Sequence, residues 1–397
     1  MKLYHGSKKI VSMPSCDQNN EHSDFGRGFY AAESEELARE WAASDENGGF
    51  LNIYELDTDG LCTADLSSHE YDIRSWLAVI LSRRLICPSG SKAREKLLRI
   101  IRDHLPDLKD ADIIKGWRAD NINFSLVLDF IEDRITLEQL VSGLQKDIPG
   151  DEVLIRTQKA ISRLEFIRAE TVESIYYTRR MMKSSPALTH IRSCDILGEL
   201  TEYITRYTPE FSVDRFLQMF IISGYAARFE KGDPCLTEGM SGIELHHRVM
   251  EECGLSRPDW PLPDLMDIST PAYRTGRLLA LYQRVRGLSF TDITAHMPFS
   301  RLMSVCEAQG DMQEEKIYAL LDRKIAERQP CSCRLQDRRR RLGLSQKELA
   351  AISGVNLRTL QQYETGAKDI NKASAAKVAA LSKALFCRGL QILEPFT

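Results

Sequence analysis

The chain has 397 residues, of which 43% are hydrophobic and 28% are charged, and its formal net charge is −4. This composition is that of an ordinary globular protein, and the length predicts two or three domains rather than one. No window approaches about 18 consecutive apolar residues, and the chain opens without an apolar signal segment, so neither a membrane span nor a secretory leader is expected.

Residues 1–175 predict a mixed α/β domain. The first seven residues are typical of a strand, FYAAES (29–34) of a second strand, and a helix is expected to begin after Ser34 as its N-cap. The next stretch, FLNIYELDT, alternates as a strand does. Apolar residues spaced for helices dominate 73–147. Further strands are predicted within three stretches, which are ADIIKGWRAD (111–120), DEVLIRT (151–157) and LEFIRAETV (164–172).

Residues 176–330 predict a helical connector, interrupted mainly by Pro and Gly clusters. It contains the pair His246-His247, whose side chains would point about 100° apart on a helix and so form a poor metal pair. We expect this pair on the solvated surface. The ten cysteines show no zinc-ligand spacing, which predicts reduced thiols and no metal site.

The C-terminal block is basic. From residue 334 to 397 there are 12 Lys and Arg against 5 Asp and Glu, a net charge of +7, so the rest of the chain carries −11. Within this block, SQKELAAIS and NLRTLQQYE form two short predicted helices joined by a turn at Gly354. Ser345 and Glu348 predict a capping box at the start of the first of them. This order of elements is typical of a helix-turn-helix.

The stretch 344–366 resembles the lambda-repressor-like (Xre-type) helix-turn-helix family, and the resemblance extends over about 60 residues. It implies an all-α five-helix domain that binds duplex DNA. Side chains predicted to enter the groove are Leu357, Arg358 and Gln361, because Arg bonds guanine and Gln bonds adenine bidentately. Contacts to the backbone or to adjoining base edges are predicted for Gln346, Asn356, Thr359 and Gln362.

Other residues of this block receive structural or electrostatic predictions. The run Arg338–Arg341 is expected to contact phosphates. The predicted core comprises Leu349, Ala350, Ile352, Val355 and Leu360. Two connector stretches, GMSGIEL (239–245) and 269–290, resemble a helical region found upstream of such DNA-binding domains in bacterial proteins. That resemblance implies no chemistry, so packing, dimerisation and restraint of a toxin stay open as its role.

Three short motifs occur in order within residues 1–168: HGS at 5–7, GRGFY at 26–30 and Glu152 at the start of a strand. They resemble the signature strands of the ADP-ribosyltransferase superfamily, in the histidine–tyrosine–glutamate branch that includes poly-ADP-ribose polymerases and diphtheria-type toxins. In detail the region is similar to an uncharacterised bacterial family of such domains, often encoded in toxin–antitoxin-like arrangements. The resemblance implies NAD as the ADP-ribose donor and no metal.

The resemblance also implies roles for individual residues. His5 would bond the adenosine ribose, and the Gly6 backbone would hold the nicotinamide carboxamide. Tyr30 and Trp41 would cover the two faces of the nicotinamide ring. Arg27 would meet a phosphate.

Glu152 is the implied transfer carboxylate, because a negative charge near the ribose 2′-OH stabilises the positive charge that develops as nicotinamide leaves. The related bacterial domains usually carry Gln at this point, so Glu152 is a departure toward an active enzyme. Ser7 completes the first motif. Ala38 stands where the polymerase-type enzymes place a serine, which removes one carboxamide hydrogen bond. The predicted catalytic residues are Glu152, His5 and Tyr30; the predicted cofactor-binding residues are His5, Gly6, Ser7, Arg27, Tyr30 and Trp41.

The sequence therefore predicts a multidomain cytoplasmic protein. Its parts are an α/β (α+β) ADP-ribosyltransferase-like domain at 1–175, an all-α connector at 176–330 and an all-α helix-turn-helix domain at 331–397. The predicted function is transfer of ADP-ribose from NAD to an acceptor, combined with sequence-specific DNA binding. Besides DNA and NAD, the predicted partners are a protein of a toxin–antitoxin-like operon and a second copy of the chain.

Several alternatives stay open at this point. The acceptor is a protein, DNA, RNA or a small molecule. The N-terminal domain is alternatively a sensor that only binds NAD or an ADP-ribosyl ligand, or an inert scaffold in an antitoxin-like repressor. NAD-dependent removal of an RNA 2′-phosphate uses a similar fold, but the Arg/His-rich phosphate site of that activity has no clear counterpart in the sequence.

Overall fold

The computed structural model describes residues 1–17, 22–43, 48–119, 122–144, 152–177, 186–309, 314–326, 333–342, 344–385, 389 and 392–393. The chain divides into two compact units. Unit 1 comprises Met1–Arg192, Gly232–Glu244 and Leu262–Met266, and unit 2 comprises Ser193–Lys231, Leu245–Pro261 and Asp267–Thr397. The domain boundaries expected near residues 175 and 330 stay predictions. None of the described helices combines the length and apolarity that a membrane span requires.

Unit 1 contains a seven-stranded mixed sheet of order β4-β5-β6-β2-β1-β3-β7. The short β4 runs parallel to β5, and the other neighbouring pairs are antiparallel. The predicted α/β class of this region is confirmed at that level, and β4 is a strand that the sequence patterns did not indicate. The strands are β1 (Lys2–Ser7), β2 (Phe29–Ala32), β3 (Gly49–Leu56), β4 (Thr63–Asp65), β5 (Ile113–Gly116), β6 (Glu152–Ile155) and β7 (Leu164–Val172).

Helices cover the sheet of unit 1. Ser34 caps the first of them as predicted, because its hydroxyl accepts a hydrogen bond from the Leu37 amide at 3.3 Å. The helices before the connector are α1 (Glu35–Ala42), α2 (Ile73–Arg83), α3 (Ser91–His104), α4 (Ile122–Ile131), α5 (Leu137–Leu144) and α6 (Gln158–Ile161).

Side-chain alternation along the strands separates the two faces of this sheet. Phe29 and Ile155 are register partners, and both belong to a buried cluster on one face. Tyr30 and Leu154 are the next partners, and both belong to a larger cluster on the other face, which includes Trp76. The sheet therefore carries apolar cores on both sides.

The remaining chain is helical, as the sequence predicts. The helices are α7 (Pro186–Tyr207), α8 (Val213–Ile222), α9 (Tyr225–Glu230), α10 (Pro234–Thr237), α11 (Gly242–Glu252), α12 (Pro271–Arg286), α13 (Phe290–His296), α14 (Phe299–Gln309), α15 (Glu314–Ala326), α16 (Arg334–Arg341), α17 (Gln346–Ser353), α18 (Leu357–Glu364) and α19 (Ala375–Ala384). A 3₁₀ turn at Ile370–Lys372 precedes α19. The resemblance implies five helices between residues 331 and 397. The described residues of this range contain four α-helices.

The connector stretch 269–290 is a packing element of unit 2. A Cβ atom on Gly276 would lie 2.2 Å from the Thr201 hydroxyl oxygen and 2.5 Å from the Leu197 carbonyl, so only glycine permits this approach of α12 to α7. Tyr282 donates to Asp322 at 2.8 Å. Gly276 and Tyr282 of this stretch therefore serve helix packing.

The expected solvent exposure of His246 is wrong. His246 is fully buried in unit 2, where its ring stacks on Phe216 with centroids 5.2 Å apart and meets Trp260 edge-on at 4.7 Å. Neither ring nitrogen of His246 has a hydrogen-bond partner among the described residues. His247 is half-buried and also contacts Trp260. The reason is local, since the aromatic side chains of α7, α8 and the 255–261 loop surround this side of the helix.

Burial lowers the pKa of His246 to about 3, with the neighbouring His247 acting in the same direction. The unfolded chain takes up a proton near pH 6.5, whereas folded His246 stays neutral, so stability falls as the pH drops from about 6.5 towards 3. From pH 7 to 5 this loss amounts to about 2 kcal/mol. His246→Phe should abolish this loss while keeping the stack on Phe216, which urea unfolding at both pH values would measure.

The matched control is His69→Gln, which alters an exposed histidine. It should leave the difference between pH 7 and 5 unchanged. A His246→Phe protein that loses as much stability as the wild type between these pH values would contradict the assignment.

Candidate functional site

The first candidate site lies where β1 and β2 meet in unit 1. Tyr4 and Ala32 form the one register pair between these strands in the described residues. Beyond that pair, Gly6 and Ser7 continue to pair with β3 on the other side. Strands β1 and β2 therefore separate at the motif residues Gly6 and Ser7. Backbone groups of both strands face the gap between them.

Gly6 is required by the packing of α1. A Cβ atom at this position would lie 1.9 Å from the Ala38 carbonyl, 2.4 Å from the Ala42 amide and 2.9 Å from the Cβ of Trp41. A side chain at residue 6 would therefore push α1 off the sheet. Ala38, which replaces the serine implied by the resemblance, is fully buried at this contact. Trp41 is half-buried and lies next to Gly6.

Glu152 lies on the same face of the sheet as Tyr30. Ala32 pairs with Glu152, and Tyr30 pairs with Leu154, so Tyr30 and Glu152 are diagonal neighbours across β2 and β6. On its other side Glu152 pairs with Gly116 of β5. Both direct partners are small, and the Oε2 atom of Glu152 is buried. Glu152 opens β6, as predicted.

The Tyr30 hydroxyl is held by the loop that precedes β2. It donates to the Gly26 carbonyl at 2.7 Å and accepts from the Phe25 amide at 3.0 Å. Burial raises the pKa of Tyr30 well above its ordinary value, and the charges of Glu152 and Asp24 raise it further. The phenol therefore stays protonated. Its ring is only 8% exposed and packs in the larger core cluster.

His5 lies on the opposite face, where its ring is 4.7 Å from that of Phe29. Its Nδ1 is 2.7 Å from the Tyr30 carbonyl oxygen, an acceptor, so Nδ1 carries the hydrogen and Nε2 is left as an acceptor. Burial lowers the pKa of His5 against the opposing effect of this bond, which favours the neutral ring. The structure thus joins His5 to Tyr30 through the backbone of Tyr30.

Asn52 is a site residue that the sequence analysis missed. It is fully buried on β3, and its Nδ2 donates to the His5 carbonyl at 3.2 Å and to the Ser7 hydroxyl at 3.0 Å. Its Oδ1 accepts from the Val11 amide at 2.8 Å. The Ser7 hydroxyl in turn donates to the Lys9 carbonyl at 2.6 Å. A polar residue inside an apolar strand, where Asn is disfavoured, was the available signal.

Arg27 is exposed on the loop between the first and second motifs. Its guanidinium has no ion pair or hydrogen bond with any residue that the structure describes, so it is available to an anion. Asp24, three residues earlier, is buried and bonded. The loop therefore has an anchored end and an exposed basic residue.

The second candidate site is the helix-turn-helix of unit 2. The predicted capping box is present, since the Ser345 hydroxyl accepts from the Glu348 amide at 3.2 Å and the Ser345 amide donates to Glu348 at 2.7 Å. Asn356 caps α18 by accepting from the Arg358 amide at 2.9 Å. Gly354 has φ +67°, the left-handed conformation that ends α17.

The predicted DNA-contacting residues occupy the start of α18. Arg358, Gln361 and Asn356 are exposed there. Half-buried positions are held by Leu357, Thr359 and Gln362, and by Gln346 at the start of α17. Gln361 donates to Gln346 at 3.3 Å, which links the first residue of α17 to the exposed face of α18. Whether each residue contacts DNA stays a prediction.

A buried ion pair orients Gln346. Arg339 bonds Glu364 through two parallel contacts of 2.5 and 2.7 Å, and the Gln346 amide donates to the same carboxylate at 2.9 Å. Arg339 also donates to the Leu344 carbonyl at 2.7 Å. The pair connects α16 to α18, and its charges are compensated at close range.

Two predictions for this region are wrong. Arg339 was expected to contact phosphate with the rest of its run, but its buried pair with Glu364 removes it from the surface, while Arg340 is exposed. Ile352 was expected in the core, but its side chain is 60% exposed. Ser353 takes the inward position at the end of α17 and bonds its own helix at the Leu349 carbonyl. The other predicted core residues are buried or half-buried.

Two family models match parts of the chain. Residues 1–166 match a family described as "Protein of unknown function (DUF3990)", and residues 335–390 match one described as "Helix-turn-helix". The second match confirms the Xre-like helix-turn-helix, which indicates DNA binding. Comparison with the curated proteins and with the solved structures found nothing similar to this chain.

Glu364→Gln should destabilise the DNA-binding region by about 3 kcal/mol, because it leaves the buried Arg339 guanidinium without its counter-charge. It should also weaken DNA binding by releasing Gln346. Thermal unfolding and DNA titration of the full chain measure both effects.

Asp369→Asn is the control, since it removes an exposed partner of Lys372 at 3.9 Å and should cost less than about 1 kcal/mol. Equal losses in the two variants would refute a special role for the buried pair.

Proposed function

We propose that this protein transfers ADP-ribose from NAD with its N-terminal unit and binds specific duplex DNA with its helix-turn-helix. The observation that carries the enzymatic part is the parting of β1 and β2 at Gly6 and Tyr30, with Glu152 on the adjoining strand of the same face. The order of the three motifs in the sequence supports the same proposal. Such a fusion fits a bacterial toxin–antitoxin-like arrangement in the cytoplasm.

The neutral state of His5 supports a ribose ligand. With Nδ1–H donated to the Tyr30 carbonyl, Nε2 can accept a hydrogen bond from a sugar hydroxyl. A protonated imidazole could not do so. The exposed Arg27 guanidinium would bind the pyrophosphate that joins the two nucleosides of NAD.

The position of the nicotinamide follows from the α1 contact. The backbone of Gly6 would bond the carboxamide, and Trp41, whose Cβ lies beside Gly6, would stack on the ring. Tyr30 would close the other face. Ala38 lies at this contact and, because its side chain is a methyl group, it offers the carboxamide no hydrogen bond.

Glu152 would act on the nicotinamide ribose. As the bond between C1′ and the nicotinamide nitrogen breaks, the pyridinium leaves as neutral nicotinamide and positive charge develops on the ribose. The carboxylate would accept the 2′-hydroxyl hydrogen bond and stabilise that charge. The acceptor then bonds to C1′ and loses its proton. Tyr30, neutral because its pKa is raised, adds no opposing charge.

DNA binding rests on the matched helix-turn-helix and on its surface. Arg358 and Gln361 are exposed at the start of α18, where bidentate bonds to guanine and adenine edges are geometrically suited to a helix in the major groove. The net charge of +7 on residues 334–397 supports attraction to phosphates.

A regulator that only binds NAD or an ADP-ribosyl ligand is the second candidate. The observation that favours it is the burial of Tyr30, whose ring packs in the core cluster and whose hydroxyl already makes two bonds. Nicotinamide release separates the two candidates, because a sensor binds NAD without releasing nicotinamide.

Glu152→Gln should lower kcat for nicotinamide release by about 100- to 1,000-fold while NAD still binds, because its charge acts in the transition state. His5→Ala should mainly raise KM, since the adenosine ribose contact is the same before and during the reaction. Nicotinamide release and NAD titration of the full chain measure both.

Glu165→Gln, on the exposed side of β7, is the matched control and should behave as wild type. Full turnover in Glu152→Gln would refute the role of Glu152 in the transfer. A wild type that binds NAD and releases no nicotinamide with any cell extract would end the transferase proposal in favour of the sensor.

Arg358→Ala should weaken DNA binding by about 1–3 kcal/mol at one preferred base position, because the lost contact reads a base edge. Arg340→Ala, an exposed change on α16, should weaken all sequences alike and reduce the salt dependence. Selection of binding sites followed by titration at several salt concentrations distinguishes these patterns. A uniform loss in Arg358→Ala would make Arg358 a phosphate contact.

A further inference from the structure

The connector motif GMSGIEL lies against the end of α2 within unit 1. The Ser241 hydroxyl donates to the Leu85 carbonyl at 2.6 Å, and Glu244 accepts from the Leu85 amide at 3.2 Å. Ser241 and Glu244 also form a capping box, with bonds of 3.0 and 3.1 Å. Helix α11 therefore begins at this contact.

Arg84 is the centre of the contact, and each of its five N–H groups has an acceptor. Nε and Nη2 bond Glu244 at 2.6 and 2.8 Å, and Nη2 also donates to the Gly239 carbonyl at 2.7 Å. Nη1 donates to Asp24 at 2.7 Å and to the Ala119 carbonyl at 3.2 Å. The guanidinium also lies 3.9 Å from the ring centroid of Phe124.

The charges in this cluster depend on one another. Burial alone would lower the pKa of Arg84, but Glu244 and Asp24 together raise it above its ordinary value. Burial alone would raise the pKa of Glu244, but Arg84 holds it low. One cation thus pairs with two buried carboxylates, one from the connector and one from the N-terminal motif region.

Asp24 connects the Arg84 cluster to the candidate site. Its second oxygen accepts from the Ala119 amide at 2.7 Å, so both ends of the carboxylate are fixed. The next two residues, Phe25 and Gly26, supply the amide and the carbonyl that bond the Tyr30 hydroxyl. A path of direct bonds and two peptide units leads from Glu244 through Arg84 and Asp24 to Tyr30.

We propose that Glu244 and Arg84 are positioning residues for the candidate site, so that the connector motif is a working part of the NAD-binding unit. Glu244 fixes the Arg84 guanidinium, Arg84 fixes Asp24, and Asp24 holds the loop 23–28 in the conformation that presents Tyr30 and Arg27. The part of this proposal that concerns NAD rests on the proposed function. The part that concerns the conformation of the loop 23–28 does not.

Glu244→Gln in the full chain is the most direct test. Gln keeps the size of the side chain and can keep the capping box, so the change removes mainly the charge facing Arg84. Hydrogen exchange followed by mass spectrometry should show faster exchange in residues 22–30. Arg84→Lys, which keeps the charge but loses the forked geometry, should act in the same direction.

Asp112→Asn is the matched control. Asp112 is also buried in unit 1, and it accepts from the Cys62 amide, the Thr157 hydroxyl and the Lys159 ammonium at 2.7–3.0 Å. None of these partners belongs to the loop 23–28. Its loss should lower the melting temperature without selectively exposing residues 22–30, so it corrects for destabilisation as such.

NAD turnover supplies the second measurement. Glu244→Gln should lower kcat/KM about tenfold or more at a temperature where circular dichroism finds it folded, because misplacement remote from the chemistry has effects of this size. Asp112→Asn should keep the wild-type kcat/KM.

Unchanged exchange of residues 22–30 in Glu244→Gln, or an equal increase in Asp112→Asn, would overturn the positioning role. Faster exchange in Glu244→Gln alone, with wild-type kcat/KM, would also overturn it for the NAD site. A wild type that neither binds nor cleaves NAD would refute the proposed function, and the exchange result would still decide whether Glu244 positions the loop.

Discussion

Burying a guanidinium is costly unless its charge and its N–H groups find partners, and one extensively bonded buried arginine lies near each candidate site. The hydrogen-bond acceptors of Arg84 belong to residues as far apart in sequence as Asp24 and Glu244. Arg339 bonds Glu364 and the Leu344 carbonyl, and both partners lie within 25 residues of it in the helix-turn-helix region. Because an unpaired buried charge costs several kcal/mol, each arginine dictates which segments must be in place together. Loop and helix positions near both candidate sites follow from that requirement.

Local patterns predicted the elements well, because short-range physics determines them. The caps at Ser34, Ser345 and Asn356 require only residues a few positions apart, and all three are present. The strands carrying the motifs begin and end close to the expected residues. Of the candidate site, the motif residues themselves were identified, and the diagonal relation of Tyr30 to Glu152 follows from the observed register.

The parts that sequence patterns missed depend on distant partners. Arg339 stands in a run of arginines, and nothing nearby in sequence marks it as the one that meets Glu364. From the sequence, Glu244 can be recognised only as a capping-box residue. Its bond with Arg84, which lies 160 residues earlier, is visible only in the structure. His246 was misassigned because a histidine's own spacing does not reveal which aromatic rings from other helices will surround it. Asn52 was missed because its hydrogen-bond partners lie more than 40 residues away, in β1 and in the segment that follows it.

The discontinuous make-up of unit 1 has a consequence for biosynthesis. Residues emerge from the ribosome in order, yet the compact unit that contains the first strand also contains residues 232–244 and 262–266. The sheet needs residues up to Val172 for its last strand, and Arg84 lacks its main counter-charge until Glu244 has been made. Two thirds of the polypeptide must therefore leave the exit tunnel before the N-terminal unit can settle into its final form. A nascent chain would therefore lack the complete candidate site of unit 1 until its helix-turn-helix region was about to follow.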